Sequence, residues 1–307
     1  MANTLVSIVG STATGKSALG VRIALEIGGE IVSADSRQVY RYMDIGTGKP
    51  SAGQLSAVPH HLIDVVDPDQ DYSLALFLRQ ARWLIDDILG RSKVPLLVGG
   101  TGQWVRGLLE GWQAPEVPPA LELRRELEAR AKAGGAEALH AELGGLDPAA
   151  ARRIDPRNVR RVVRALEVHR QLRNGSPLGP ERITPPFEQL VVGLDLSRER
   201  LYRRIDERVE AMLSAGWLDE VRGLLDRGYG LDLPSMSSLG YKELGLSLTG
   251  GMTLEEAVET TKRRTRRFSR QQRAWFRATD EQIRWFEGAG GGLDGAAAYV
   301  KKTVSAS

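Results

Sequence analysis

Short strand-like runs rich in apolar residues alternate, over the N-terminal third of the chain, with longer stretches in which apolar positions recur every three or four residues. The short runs are residues 5–9, 30–33 and 94–98; the helical period marks residues 18–27 and 73–89. A short run dominated by Val, Ile and Leu predicts a buried strand, and strands that alternate with helices predict a parallel sheet. After residue 102 the pattern changes. Pro115, Pro118 and Pro119 punctuate the chain, and residues 121–172 read as helical throughout with no strand signal. A second proline cluster, Pro177, Pro180, Pro185 and Pro186, leads into a further apolar run at residues 190–196. The pattern therefore predicts a core of residues 1–114 and 187–307, interrupted by an all-helical insertion over residues 115–186. An amphipathic stretch follows at residues 198–226, broken near Gly216, then a helix over residues 254–279. The tail carries Gly288 and Gly290 to Gly292 and reads as flexible, ending in one short helix. No internal repeat is visible.

Between the first predicted strand and helix lie Gly10, Ser11, Thr12, Ala13, Thr14, Gly15, Lys16 and Ser17. They match Gly-x4-Gly-Lys-[Ser/Thr], a loop whose backbone N–H groups wrap a phosphate at the positive end of a helix. Lys16 adds a full charge and Ser17 a hydroxyl ligand for Mg2+. The fold expected is thus α/β, a P-loop NTPase-like parallel sheet flanked by helices, with the helical domain inserted. A second glycine loop, Gly99 to Gly102, follows the strand at residues 94–98 and belongs at the same carboxyl edge. That strand ends in glycine rather than in the metal-holding Asp of most triphosphatases, which disfavours a motor or switch ATPase.

The chain has 307 residues, enough for a main domain and a smaller one. Hydrophobic residues are 42% of it, without a run long enough to span a membrane or a signal-like start, so a soluble, cytoplasmic protein without membrane partners is expected. There are no cysteines, which excludes thiolate chemistry and disulfides. The net charge of +3 hides a concentration: eight arginines lie within residues 152–173 against Asp155 and Glu167, and eight basic residues lie within residues 262–277 with no acid. Both are candidate polyanion surfaces or solvated helix faces.

Asp35 follows the second predicted strand, within reach of the loop. It is the leading acid/base candidate, with a metal-shell ligand or a simple helix cap as the other readings. Arg204 and Arg208 share a helical face and could clamp a second phosphate, unless Asp206 and Glu207 pair with them. His60 and His61 lack companion ligand spacing, so hydrogen-bonding roles are expected of them.

Taken together, residues 10–17, 33–50, 60–64, 98–102, 161–168, 204–208 and 239–243 make the chain resemble the tRNA dimethylallyltransferases, or tRNA isopentenyltransferases, over nearly its whole length. The block Asp35-Ser36…Met43-Asp44-Ile45-Gly46-Thr47…Lys49-Pro50 is the most specific part. The resemblance implies transfer of a dimethylallyl group from dimethylallyl diphosphate to N6 of adenosine 37 in tRNAs that read codons beginning with U. Mg2+ is the implied cofactor. It implies catalytic roles for Asp35, Thr12, Lys16 and Arg208: Asp35 takes the amine proton, while Lys16, Arg208, the loop amides and the metal at Ser17 stabilise the departing diphosphate. It implies that the anticodon stem-loop meets Asp35, Ser36, Arg37, Gln38, Thr101, Arg124, Val159, Arg160, Arg161, Val162, Val163, Arg164, Ser237, Ser238, Leu239, Gly240, Tyr241 and Lys242, with the adenine flipped out of its stack. A monomeric, bacterial-type enzyme is implied, since the zinc finger of eukaryotic relatives needs cysteines. Gly48 stands where the family commonly has Ala, and Ser237 where some members have a basic residue. An isopentenyltransferase of free AMP or ATP is the alternative, disfavoured because a mononucleotide needs no extended cationic surface. A nucleotide kinase and a non-catalytic RNA-binding module are further rivals; Asp35 beside an intact loop speaks against pure binding.

Overall fold

The computed structural model describes residues 3–115, 117, 120–171 and 182–306; the expectations for Pro118, Pro119, Pro177 and Pro180 fall outside them. The chain divides into two compact units, Met1–Glu110 with Thr184–Ser307, and Gly111–Ile183. The division comes a few residues earlier at each end than the prolines suggested. Within the smaller unit a neck closes first: Ile183 N–H donates to Gly111 O at 3.0 Å, and Trp112 bridges antiparallel to Arg182.

The larger unit begins β1 (Thr4–Gly10), α1 (Lys16–Ile27), β2 (Glu30–Ser33), α2 (Ala52–Ala57), β3 (His60–His61), α3 (Leu74–Gly90), β4 (Pro95–Val98) and α4 (Gly102–Leu109). The smaller unit holds α5 (Leu121–Gly134), α6 (Ala136–Leu146), α7 (Pro148–Arg153) and α8 (Val159–Gln171). The chain then returns through β5 (Glu188–Asp195), α9 (Arg198–Ser214), α10 (Trp217–Asp226), a 3-10 turn at Ser235–Ser237, α11 (Tyr241–Leu248), α12 (Leu254–Trp275), β6 (Ile283–Glu287) and α13 (Gly291–Ala306). Among the described residues the strands form one all-parallel sheet in the order β3-β2-β4-β1-β5-β6.

Every residue of β1 is buried because both faces of the sheet are covered. Val6 and Ile8, with Ile31, Leu96, Val98, Val192 and Leu194, meet α1 and α13 on one side. Their neighbours Leu5, Val9, Val32 and Leu97 face the other way. Sealing an aliphatic side chain of this size from water stabilises the fold by about 1.5–3 kcal/mol. α13 is longer than the short terminal helix expected, and β6 was not expected at all; the half-exposed strand β6 lays Trp285 over Gly193 of β5. Gly216, with φ +97°, separates α9 from α10 at the expected break.

His60 Nδ1 meets Val58 O, and His61 Nε2 meets the Glu30 carboxylate, both at 2.8 Å. Arg91 and Lys93 join them around Glu30, and the Arg91 guanidinium holds the Glu30 carboxyl well below the usual range. These contacts pin the short edge strand β3.

In the smaller unit, Leu127, Leu139, Leu143, Val162, Val163 and Leu166 form the core. Glu167 is fully buried beside it. Its carboxylate accepts Ala120 N–H at 2.6 Å, both Arg124 guanidinium nitrogens at 2.9 and 3.0 Å, and Arg164 at 2.5 Å. Glu167→Ala is expected to cost about 2–4 kcal/mol, because it orphans a backbone amide and two partly buried cations. Urea unfolding with tryptophan and circular-dichroism probes measures this; an unchanged midpoint would refute the anchoring role.

Candidate active site

β1 delivers the chain to the phosphate loop through Gly10, whose φ is +138° and whose missing Cβ would otherwise sit 2.3 Å from Leu194 O. Only glycine satisfies both conditions. The loop is internally braced: Thr14 Oγ1 and Lys16 Nζ both donate to Ser11 O, at 2.8 and 2.6 Å. Among the described residues no intramolecular partner takes the amides of residues 13–17. They remain as donors at the start of α1, whose N-cap, Gly15, is left-handed with φ +94°.

The loop lines a cavity of about 850 Å³ at the carboxyl edge of the sheet, together with Ser17, Asp35, Thr101, Arg204 and Arg208. Asp35 follows β2, and its Oδ1 accepts Arg37 N–H at 2.9 Å. No helix starts here, so the helix-cap reading fails: Asp35 braces a turn at residues 36–39 and lines the cavity, and among the described residues its Oδ2 has no partner. Thr101, after β4, accepts Ser36 N–H at 3.0 Å and ties the two strand ends together. Burial pushes Lys16 down to about 8, against the opposing pull of Asp35. Burial likewise lowers Arg208, which also feels Asp35 and Arg204. Arg208 packs on Gly48, at φ +63°, where a Cβ would fall 1.8 Å from Nη2; alanine there would displace the guanidinium. Arg204 donates to Gly288 O at 2.7 Å, and Asp206 pairs with Arg266 rather than with either arginine of the predicted clamp. One part of the remaining wall is apolar, from Val209, Met212, Trp217, Leu239, Phe268 and Trp275; the rest is polar, with Gln54, Gln103, Arg264, Arg267 and Gln271 among its residues.

Several residues expected along an RNA path have buried or internally bonded side chains. Val162 and Val163 sit in the core of the helical unit, so their side chains are closed to RNA. Tyr241 is buried with its hydroxyl on Glu220 at 2.6 Å, and Gly240 and Ser238 are buried next to it. Gln38 is turned inward to Ser33 Oγ at 3.1 Å and Gly48 O at 3.1 Å. Arg124 and Arg164 are committed to Glu167. What remains exposed is Arg160 and Arg161, which have no side-chain partners among the described residues, with Val159 partly exposed on the same turn; in the other unit it is Ser237 and Lys242, with Ser36, Arg37, Thr101 and Leu239 partly exposed. Arg37 reaches Pro234 O at 3.1 Å. The basic run on α12 is mostly paired: Lys262, Arg264, Arg266 and Arg273 meet carboxylates, and Arg270 meets Tyr202. Arg267, exposed at the cavity wall, has no partner among the described residues.

Two positions had no sequence signal. Glu220 accepts the N–H groups of Asp44, Ile45 and Gly46 at 2.8, 2.7 and 3.2 Å, holding the most specific sequence block in place. Gln272 contacts the phosphate loop from α12. Among the described residues no group of three or more His, Cys, Asp or Glu is placed to hold a metal, and no helix is long and apolar enough to cross a membrane.

Residues 38–279 match the family model described as IPP transferase, and residues 3–64 match the one described as isopentenyl transferase. The chain is 52% identical over 305 residues to a tRNA dimethylallyltransferase of Roseiflexus castenholzii, covering 99% of each. It is 50% identical over 287 residues to one of Desulforudis audaxviator, covering 92% of this chain and 91% of that one. The full-length tRNA isopentenylpyrophosphate transferase of Bacillus halodurans superposes with a TM-score of 0.71 at 39% identity, over 99% of this chain and 96% of that one. A eukaryotic dimethylallyltransferase described as acting on tRNA superposes with a TM-score of 0.78 at 25% identity, over 97% of this chain and 77% of its own.

The lowered Lys16 fixes a sign for pH dependence. As pH rises through about 8 the ammonium loses its proton and with it the attraction for an anion. Pyrophosphate itself grows more anionic over the same span and would bind more tightly, so a fall in affinity isolates the lysine. Calorimetric titration between about pH 6.5 and 9.5 is expected to show that fall, and Lys16→Met to abolish it.

Proposed function

The chain belongs to the IPP transferase family, and we propose from that premise that it transfers a dimethylallyl group from dimethylallyl diphosphate to N6 of adenosine 37 in tRNA. The observation that carries this reading is the composition of the cavity: a phosphate loop with free amides and two desolvated cations on one side, an apolar wall on another, and Asp35 between the strand ends. A diphosphate fits the first, a five-carbon chain the second.

In this reading the amine lone pair forms the N6–C1 bond as the C1–O bond breaks, and the bonding electrons leave with the diphosphate. Lys16, Arg208 and the amides of residues 13–17 stabilise the charge gathering on that leaving group. Oδ2 of Asp35 takes the N6 proton, while Oδ1 stays fixed to Arg37 N–H. The donor set suits Mg2+: Ser17 and Asp35 offer oxygen, and so sparse an acidic complement leaves most of the coordination to water and diphosphate oxygens, as this cation prefers. When bound, the ion would neutralise diphosphate charge.

Arg160 and Arg161 support a polynucleotide acceptor over free AMP, since unpaired cations on a helix remote in sequence from the loop serve an extended anion. The test is incubation with Mg2+, radiolabelled dimethylallyl diphosphate and either unmodified tRNA or AMP. Label in AMP but not in tRNA would overturn the reading.

Asp35→Ala is expected to lose about 10²–10⁴-fold in turnover while retaining tRNA binding; undiminished single-turnover rates would remove it as the base. Arg160→Ala with Arg161→Ala is expected to weaken tRNA binding and flatten its salt dependence, leaving pyrophosphate affinity alone. Filter binding at several salt concentrations measures both.

A further inference from the structure

Gln272 of α12 is only 5% exposed, and both ends of its amide are used. Oε1 accepts Thr12 N–H at 2.8 Å, and Nε2 donates to Gly100 O at 2.9 Å. One side chain thus joins the phosphate loop after β1 to the glycine loop after β4. The orientation is fixed, because a flipped amide would set donor against donor at Thr12 and acceptor against acceptor at Gly100. The division of labour within the phosphate loop follows. Ser11 O is taken by Thr14 and Lys16 and Thr12 N–H by Gln272, whereas the amides of residues 13–17 keep no internal partner. The rising limb is anchored to the protein; the rest faces the cavity.

We propose that Gln272 is a positioning residue for the phosphate cradle, holding residues 11–12 against the exit of β4 so that the following amides meet the diphosphate already in place. The proposal rests on the loop being the diphosphate site, as in the function proposed above. It follows from preorganisation: a loop of consecutive like-oriented N–H dipoles spreads apart unless tethered, and a ligand must then reorder it on binding. The tether comes from the helix whose Arg267 and Phe268 line the same cavity, so one helix both braces the phosphate loop and forms part of the cavity wall.

The experiment uses the whole chain with Gln272→Met, which keeps the volume and removes both hydrogen bonds, and Gln272→Ala as the second variant. Pyrophosphate affinity is read by calorimetry, tRNA affinity by filter binding at fixed salt, and folding by thermal unfolding. Expected is a loss of about tenfold or more in pyrophosphate affinity in both variants, the size of one or two buried hydrogen bonds. In turnover the KM for dimethylallyl diphosphate rises to match, with tRNA affinity within about twofold of the wild type. Unchanged pyrophosphate affinity, whether or not the melting temperature falls, overturns the proposal and leaves the functional reading intact. A loss confined to tRNA affinity also overturns it, assigning Gln272 to the acceptor. If the wild-type protein itself fails to bind pyrophosphate, the functional reading falls, and this proposal with it.

Discussion

Two cations held out of water beside a single carboxylate are an unfavourable arrangement, and the catalytic unit is organised around maintaining it. Lys16 is pushed down to about 8 and Arg208 is lowered as well, and the attraction of Asp35 does not cancel the desolvation of either. The rest of the fold supplies the cost. β1 and β2, buried on both sides, end at the same edge and set Lys16 and Asp35 on neighbouring loops; α9 brings Arg208 across from the other wall. An anion of two or more charges would convert this arrangement from strained to satisfied, which is why the proposed diphosphate suits it better than a neutral ligand would.

Acidic residues divide into two groups by what surrounds them. Glu30, Glu167 and Glu220 are saturated with donors and serve as anchors: Glu30 for the edge of the sheet, Glu167 for the helical unit, Glu220 for the turn at residues 44–46. Asp35 gives one oxygen to a turn and keeps the other uncommitted. Such a half-finished environment suits the proton transfer proposed for Asp35, because full saturation by donors would make a carboxylate too weak a base.

The sequence made legible whatever depends on contiguous chemistry. The strands β1, β2, β4 and β5 are apolar runs, the phosphate loop is a spaced motif, and the break at Gly216 is a glycine inside a helical period. Elements defined by pairing across the fold were invisible. β6 has one buried residue among partly and fully exposed ones and follows a polar turn, so its pattern could not be told from a loop; β3 is two residues long and exists because β2 is beside it. The basic stretches show the same limit. Sequence registers charge but not partnership, and most of the cations on α12 are matched to acids from α9, α11 and β5. A resemblance that assigns whole segments to RNA likewise cannot separate Arg160 and Arg161 from Val162 and Val163, because the helix turns one pair outward and the other into the core. Gln272 looks like an ordinary polar residue of an exposed helix until its two partners are seen.

The strand order carries a consequence for how the site comes into being. β1 lies between β4 and β5, and its register with β5 pairs Thr4 with Glu188 and Gly10 with Leu194. The first strand of the chain therefore waits, with one edge unmatched, until the entire helical unit has been synthesised. Closing so long a loop is slow relative to local helix formation. The phosphate loop thus depends on segments far along the chain, since β5 backs Gly10 and α12 holds Thr12.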